Sequence, residues 1–304
     1  MTTTRSAALL LAIASSAVSS RIAAQTSTDI FLADLRISGD SIQITPPRNV
    51  TNRAGYDNQP WFTRDGAALL YNADIDGQTD IFRYDLETGT RTQLTHTADN
   101  EYSPSLTRDG EELLVVRWPT DMSTGALWRY TPDGEPIAVH PASVAGIGYY
   151  GIIDDDRIVA FVNDSVRTFM LSDASTGEHR RILTGLAGSP PQRMPGADAV
   201  SFMMPADDDV VWIHRLDLAT GEVAQIAPAV GESLSYVWLS DGLLLMPSGN
   251  AVYAINPWTD AEWREVARFD DPALASIVRI AVNAAADRVA FVAEQDPPEQ
   301  DEPS

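Results

Sequence analysis

The 304-residue chain is predicted to be all-β, a six-bladed β-propeller of four-stranded blades whose last blade is closed by two N-terminal and two C-terminal strands. Three observations predict this: a hairpin phrase written twice, turn signals at a steady spacing, and a unit divided between the two ends. Pro60-Trp61-Phe62-Thr63-Arg64-Asp65-Gly66 recurs 44 residues later as Pro104-Ser105-Leu106-Thr107-Arg108-Asp109-Gly110. A period of that size signals a repeat architecture.

Within each copy a proline opens a short apolar strand, and Asp-Gly supplies the positive φ of a tight turn. A second apolar run then returns, Ala68-Leu69-Leu70-Tyr71 or Leu113-Leu114-Val115-Val116. Equivalent turns follow at Asp154-Asp155-Asp156, Pro195-Gly196-Ala197-Asp198, Ser240-Asp241-Gly242 and Ala284 to Asp287. A second turn series runs through Asp85 to Gly89, Thr131 to Gly134, Asp173 to Gly177, Asp217 to Gly221 and Asn256 to Asp260. Its missing member lies at the other end of the chain, at Asp34 to Asp40, after Thr28-Asp29-Ile30-Phe31-Leu32, which matches Thr79-Asp80-Ile81-Phe82-Arg83. The N-terminal segment therefore supplies the third and fourth strands of a unit begun near Arg279–Val282 and Arg288–Ala293. A closed ring needs such a shared unit, whereas an open solenoid needs caps instead.

Composition narrows the chemistry. The chain carries 43 acidic and 21 basic residues, a formal charge of −22, which argues against nucleic acid or an anionic membrane surface as partner. There is no cysteine, which excludes disulfides, thiolate nucleophiles and Cys-ligated zinc. Every basic residue is Arg, which excludes Schiff-base chemistry and a phosphate-loop lysine. Residues 1–24 read as a secretory signal peptide, with Arg5 ahead of an apolar centre and Ile22-Ala23-Ala24 before Gln25. The expected organisation is leader 1–24, propeller 25–295 and an acidic, Pro-rich tail 296–304. The expected location is periplasmic or extracellular, with no membrane span in the mature chain and a monomeric state.

Pro60 to Thr95, running Pro-x-Φ-Thr-Arg-Asp-Gly and then Asp-Ile-Phe-x-x-Asp-Leu-x-Thr-Gly to Leu-Thr, resembles the WD40-like repeat of TolB-like propellers, usually written Pro-x-Trp-Ser-Pro-Asp-Gly. Thr63-Arg64 stands where that family has Ser-Pro. The resemblance implies the propeller fold and, more loosely, an envelope-protein-binding role. The same repeat occurs in peptidase propeller domains and polysaccharide lyases.

In such a ring the loop entering each innermost strand lies at a channel mouth. The register places Tyr56, Asp57, Asn58, Glu101, Tyr102, Tyr149, Tyr150, Arg193, Tyr236 and Arg279 there. Amphipathic rings with a few charges suit a ligand or peptide site, although the same tyrosines also serve as blade-packing wedges. Asp57 and Glu101 are the one carboxylate pair available for acid/base work on a glycan. Asp74, Asp76 and Asp80 space three carboxylates around Gly77 like a short Ca²⁺ loop, but they lack the twelfth-position Glu and fall on a hairpin turn. No cofactor is otherwise indicated. Gly146 to Gly151 spells G-x-G-x-x-G but runs into a strand, not a helix. The favoured reading is an exported, non-catalytic module that binds a protein, peptide or envelope component. The alternatives are a hydrolase or lyase using channel carboxylates, with or without metal, and a small-molecule or glycan sensor.

Overall fold

A computed structural model describes residues 26–39, 41–206 and 210–295. Residues 1–24 and 296–304, expected to be leader and acidic tail, lie outside the described residues, as do residues 207–209. Six antiparallel sheets stand in a ring, with almost no helix beyond the single 3₁₀ turn Pro272–Leu274. Their innermost strands are Asp57–Phe62, Asn100–Leu106, Ile147–Ile152, Gln192–Arg193, Val237–Trp238 and Ile277–Val282, which define blades 1 to 6 in that order.

Blade 6 closes the ring as the sequence predicts. Thr28–Ser38 pairs with the C-terminal strand Arg288–Glu294, from Thr28 opposite Glu294 to Asp34 opposite Arg288. Its outer edge is in two pieces, Ser41–Ile44 and Arg48–Asn49. Pro46-Pro47 interrupts it, because proline has no N–H to give a ladder.

The first turn series joins first to second strands and the second series joins third to fourth. Gly66, Gly110 and Gly242 take the left-handed backbone that such turns require, and in blade 6 Ala286 adopts it at φ 54°.

The core consists of six wedges between neighbouring blades. Along Thr28–Ser38, Ile30 and Leu32 pack toward Leu69 and Tyr71 of blade 1, while Phe31 and Ala33 pack toward Leu245 and Val252 of blade 5. Strand side chains alternate faces, so a strand buried on both sides must be apolar at every position. That is why Leu113-Leu114-Val115-Val116 is unbroken: Leu113 and Val115 meet blade 1, and Leu114 and Val116 meet blade 3. The outermost strands, such as Arg91–Gln93 and Pro136–Val139, are short and largely exposed, leaving little free edge to pair with another chain.

Candidate functional site

The six inner strands enclose a central cavity of about 780 Å³. Blades 3 and 6 are opposite in a ring of six, and from them Tyr149 and Arg279 meet across the axis. The Arg279 guanidinium donates from Nη2 to the Tyr149 hydroxyl at 2.7 Å and lies 5.3 Å from the centroid of the same ring. The contact combines a charge-assisted hydrogen bond with a cation–π contact. Tyr56 and Tyr102 join the group, near enough for their hydroxyls to act on one another. Burial pushes the Tyr56 hydroxyl up to about 12, with Arg279 pulling the other way. Four residues of the predicted mouth thus converge and bar the channel where the inner strands begin.

Local backbone sets these side chains. The inner strands of blades 1, 2, 3 and 6 each slip register, at Asn58/Trp61, Tyr102/Ser105, Ile147/Tyr149 and Ile277/Arg279. Such bulges re-aim side chains that a regular strand would hold in its sheet faces. In blades 1 and 2 the bulge residues Gln59 and Ser103 are left-handed, at φ 54° and 53°, although each precedes a proline that favours extended backbone. They are tied together, because Gln59 Oε1 accepts the Ser103 N–H at 2.6 Å.

The other predicted residues divide into three groups. Tyr150 and Tyr236 are wedges: their hydroxyls meet Ser105 Oγ at 2.7 Å and Ser201 Oγ at 2.8 Å, and both rings are buried between blades. Arg193 lies exposed at the opposite end of the channel and pairs with Asp198 at 3.2 Å. Asp57, Asn58 and Glu101 are buried behind the channel wall.

Asp57 and Glu101 belong to a repeated polar latch. In the first latch, Thr51 Oγ1 accepts the Ile30 N–H at 3.0 Å and donates to Asp29 at 3.0 Å, and Arg53 pairs with Asp57 at 2.7 Å. The second repeats it: Thr95 Oγ1 accepts the Ile81 N–H at 2.9 Å and reaches Glu101 at 3.2 Å, with Asp80 beside it. Glu101 also accepts from Thr97 and from the Tyr130 hydroxyl. These two latches clamp blade 6 to blade 1 and blade 1 to blade 2. Burial raises Asp57 to about 6 against the pull of Arg53, and its Oδ2 has no hydrogen-bond partner. Burial also pushes Glu101 up, and the adjacent Asp80 carboxylate adds to the rise.

Asp80 is therefore turned into a latch, away from the Asp74-Asp76 hairpin, where Asp74 Oδ1 accepts the Gly77 N–H at 3.1 Å. Among the described residues no three acidic or histidine side chains come together as a metal site.

The cavity extends from the tyrosine bar to the Asp-Gly turns, where Arg64, Arg108 and Arg193 are exposed around it. Arg64 Nη1 donates to the Arg108 carbonyl at 2.9 Å, linking blades 1 and 2. Trp61, Ser189 and Ser235 are among the other wall residues. Among the described residues no Asp, Glu or His lines the cavity, and the four charged residues that do are all Arg.

Solved structures that this architecture resembles include a putative TolB from Agrobacterium tumefaciens, 13% identical, with a TM-score of 0.65 over 89% of this chain and 100% of that one. TolB from Acinetobacter baumannii aligns at 15% identity and a TM-score of 0.52, covering 88% of this chain and 64% of that one. An oligogalacturonate lyase in complex with manganese aligns at 17% identity and a TM-score of 0.52, covering 90% and 98%. This chain has the six-bladed propeller fold of those TolB-like structures. No family model matches the sequence, and no curated protein does either. At these identities the likeness is one of fold, and a fold this widely shared does not fix activity.

Arg64 and Arg108 are cavity residues that the sequence alone does not single out. The Asp-Gly that follows each of them reads as a turn. The signal was the arginine itself, present in both copies where the TolB-like repeat has proline, two residues past the end of the channel-lining strand.

Proposed function

We propose that the chain is an exported, non-catalytic binding module that takes a protein, a peptide or a cell-envelope component into its central channel. The observation that carries this reading is the cavity lining: apolar and hydroxyl-bearing walls, aromatic residues at the barred end, and arginines as the only charged groups. Such a lining offers recognition groups in a pocket of ligand-binding size. It offers no group suited to general acid/base work near neutral pH. The alternative, a hydrolase or lyase working with channel carboxylates, has lost its two acids to the latches. Export is supported by the character of residues 1–24, and no helix among the described residues is long and apolar enough to cross a membrane. Occupation of the Asp74-Asp76 turn by Ca²⁺ finds no third carboxylate in support.

The test is affinity capture from the native envelope fraction with the mature chain and with an Arg108→Glu/Arg193→Glu variant. Both residues are exposed, so the fold should persist. A partner held by the wild type and lost by the variant supports channel binding; equal capture by both overturns it.

A further inference from the structure

The arginine lining has a meaning beyond binding in general. Acidic residues outnumber basic ones about two to one in this chain, yet the cavity walls hold four arginines and no acid. Arg64, Arg108 and Arg279 have no carboxylate within ion-pair distance among the described residues, whereas Arg193 pairs with exposed Asp198 at 3.2 Å. Some arginines elsewhere pair with acids, as Arg53 does with Asp57, Arg117 with Asp99 and Arg157 with Asp154. A half-buried guanidinium at the end of a cavity stays charged and prefers a partner that matches its planar fork. Arg279 has only a neutral phenol to bond.

A second observation comes from the same wall. Ser189 is 1% exposed and lines the cavity, and its Oγ has no hydrogen-bond partner. Buried hydroxyls are normally satisfied, so one left open on a cavity wall marks a place for a polar ligand atom. A donor hydroxyl on the wall of a cavity that also holds four arginines suits an oxyanion.

We infer that the channel ligand is an acidic peptide segment, entering between Arg64, Arg108 and Arg193 and delivering one carboxylate to Arg279 beside Tyr149. This rests on the binding-module reading and names its ligand class. The three exposed arginines steer and hold side-chain carboxylates at the rim, where salt weakens them. Arg279, farther from water, supplies the bidentate contact that discriminates a planar carboxylate from other groups. The acidic exterior sharpens the choice, because an anionic ligand is repelled everywhere but here.

Calorimetric titration of the mature chain tests this with defined probes: acetyl-tri-aspartate amide, acetyl-tri-alanine with a free C-terminus, acetyl-tri-asparagine amide, and inorganic phosphate. Tri-aspartate is expected to bind with the neutral tri-asparagine at least tenfold weaker. The tri-alanine acid distinguishes a C-terminal carboxylate from side-chain carboxylates: binding comparable to tri-aspartate assigns Arg279 to a chain end, and weak binding assigns the site to acidic side chains. Arg279→Gln should weaken tri-aspartate at least tenfold, with Arg279→Lys in between. If Arg279→Gln does not fold, Arg64→Gln/Arg108→Gln/Arg193→Gln keeps the test open, with an expected loss of threefold or more and a flatter salt dependence. Tri-asparagine binding as tightly, phosphate binding as tightly, or full affinity in these variants would overturn the inference. Failure here with capture still channel-dependent removes the acidic-peptide assignment alone. Tri-aspartate binding with capture independent of the channel removes the partner reading instead.

Discussion

Arg279 and Tyr149 join opposite sides of the propeller by one hydrogen bond of 2.7 Å across the central axis, 130 residues apart in the chain. This bond ties blade 6, made from both ends of the chain, to blade 3 at its middle. A hydrogen bond to a charged group contributes roughly 1.5–3 kcal/mol. Tyr149→Phe keeps the ring under the guanidinium and removes only the acceptor. Its expected cost is on the order of 1–2 kcal/mol, a fall of several degrees in thermal midpoint for a domain of this size. A double-mutant cycle with Arg279→Gln checks it, and additive losses would show that the crossing bond contributes nothing.

The latches give a pH dependence of definite sign. Asp57 is raised to about 6 and Glu101 is also raised, both chiefly by burial. A carboxyl whose folded pKa exceeds its unfolded value near 4 stabilises the fold fully below about pH 4 and loses that contribution as pH climbs through the folded value. For Asp57 the loss between about pH 4 and 7 is on the order of 2–3 kcal/mol. Turn acids such as Asp109 and Asp154 are lowered by their hydrogen bonds and act in the opposite sense, losing stability as pH falls below about 4. Thermal midpoints should therefore peak in mildly acidic buffer and decline toward pH 7. Glu101→Gln should flatten the decline; a midpoint that climbs steadily to pH 8 contradicts this account.

Thr51 and Thr95 hold equivalent places in successive latches, each accepting a backbone N–H while donating to a buried acid. Thr51→Val and Thr95→Val leave the Ile30 and Ile81 N–H groups buried without their threonine acceptor, at about 1–3 kcal/mol each. Denaturant melts of both variants should give losses of similar size. A neutral result at either would mean that the repeated phrase does not clamp the blades.

Ring closure rests on Thr28–Ser38, and Phe31 lies in its middle at 2% exposure, packed with the residues of blade 5. Phe31→Ala should cost about 3–5 kcal/mol. Hydrogen exchange should then rise first in Arg288–Glu294, the strand that pairs with it. Uniform loss of protection around the ring would show that closure is not the weak seam.

The fold was legible because propeller geometry is written in local signals. Asp-Gly turns, proline strand starts and unbroken apolar runs each report a backbone state or a doubly buried strand, and counting them located the seam between the termini. The site was legible only in part. The register brought Tyr56, Tyr102, Tyr149 and Arg279 to one level of the channel, where they do meet. It did not show that Asp57 and Glu101, neighbours of those tyrosines in sequence, turn behind the wall.

By itself the sequence determined the number of blades, their order and the shared sixth unit, because hairpin turns and strand periodicity depend on residues close in the chain. Tertiary structure alone decided which polar residues face the channel. Bulges at Gln59 and Ser103 redirect their strands, burial between blades draws Asp57 and Glu101 into latches, and the ring sets Arg279 opposite Tyr149. A side chain's direction across a closed ring depends on five other blades at once, and no local pattern encodes that.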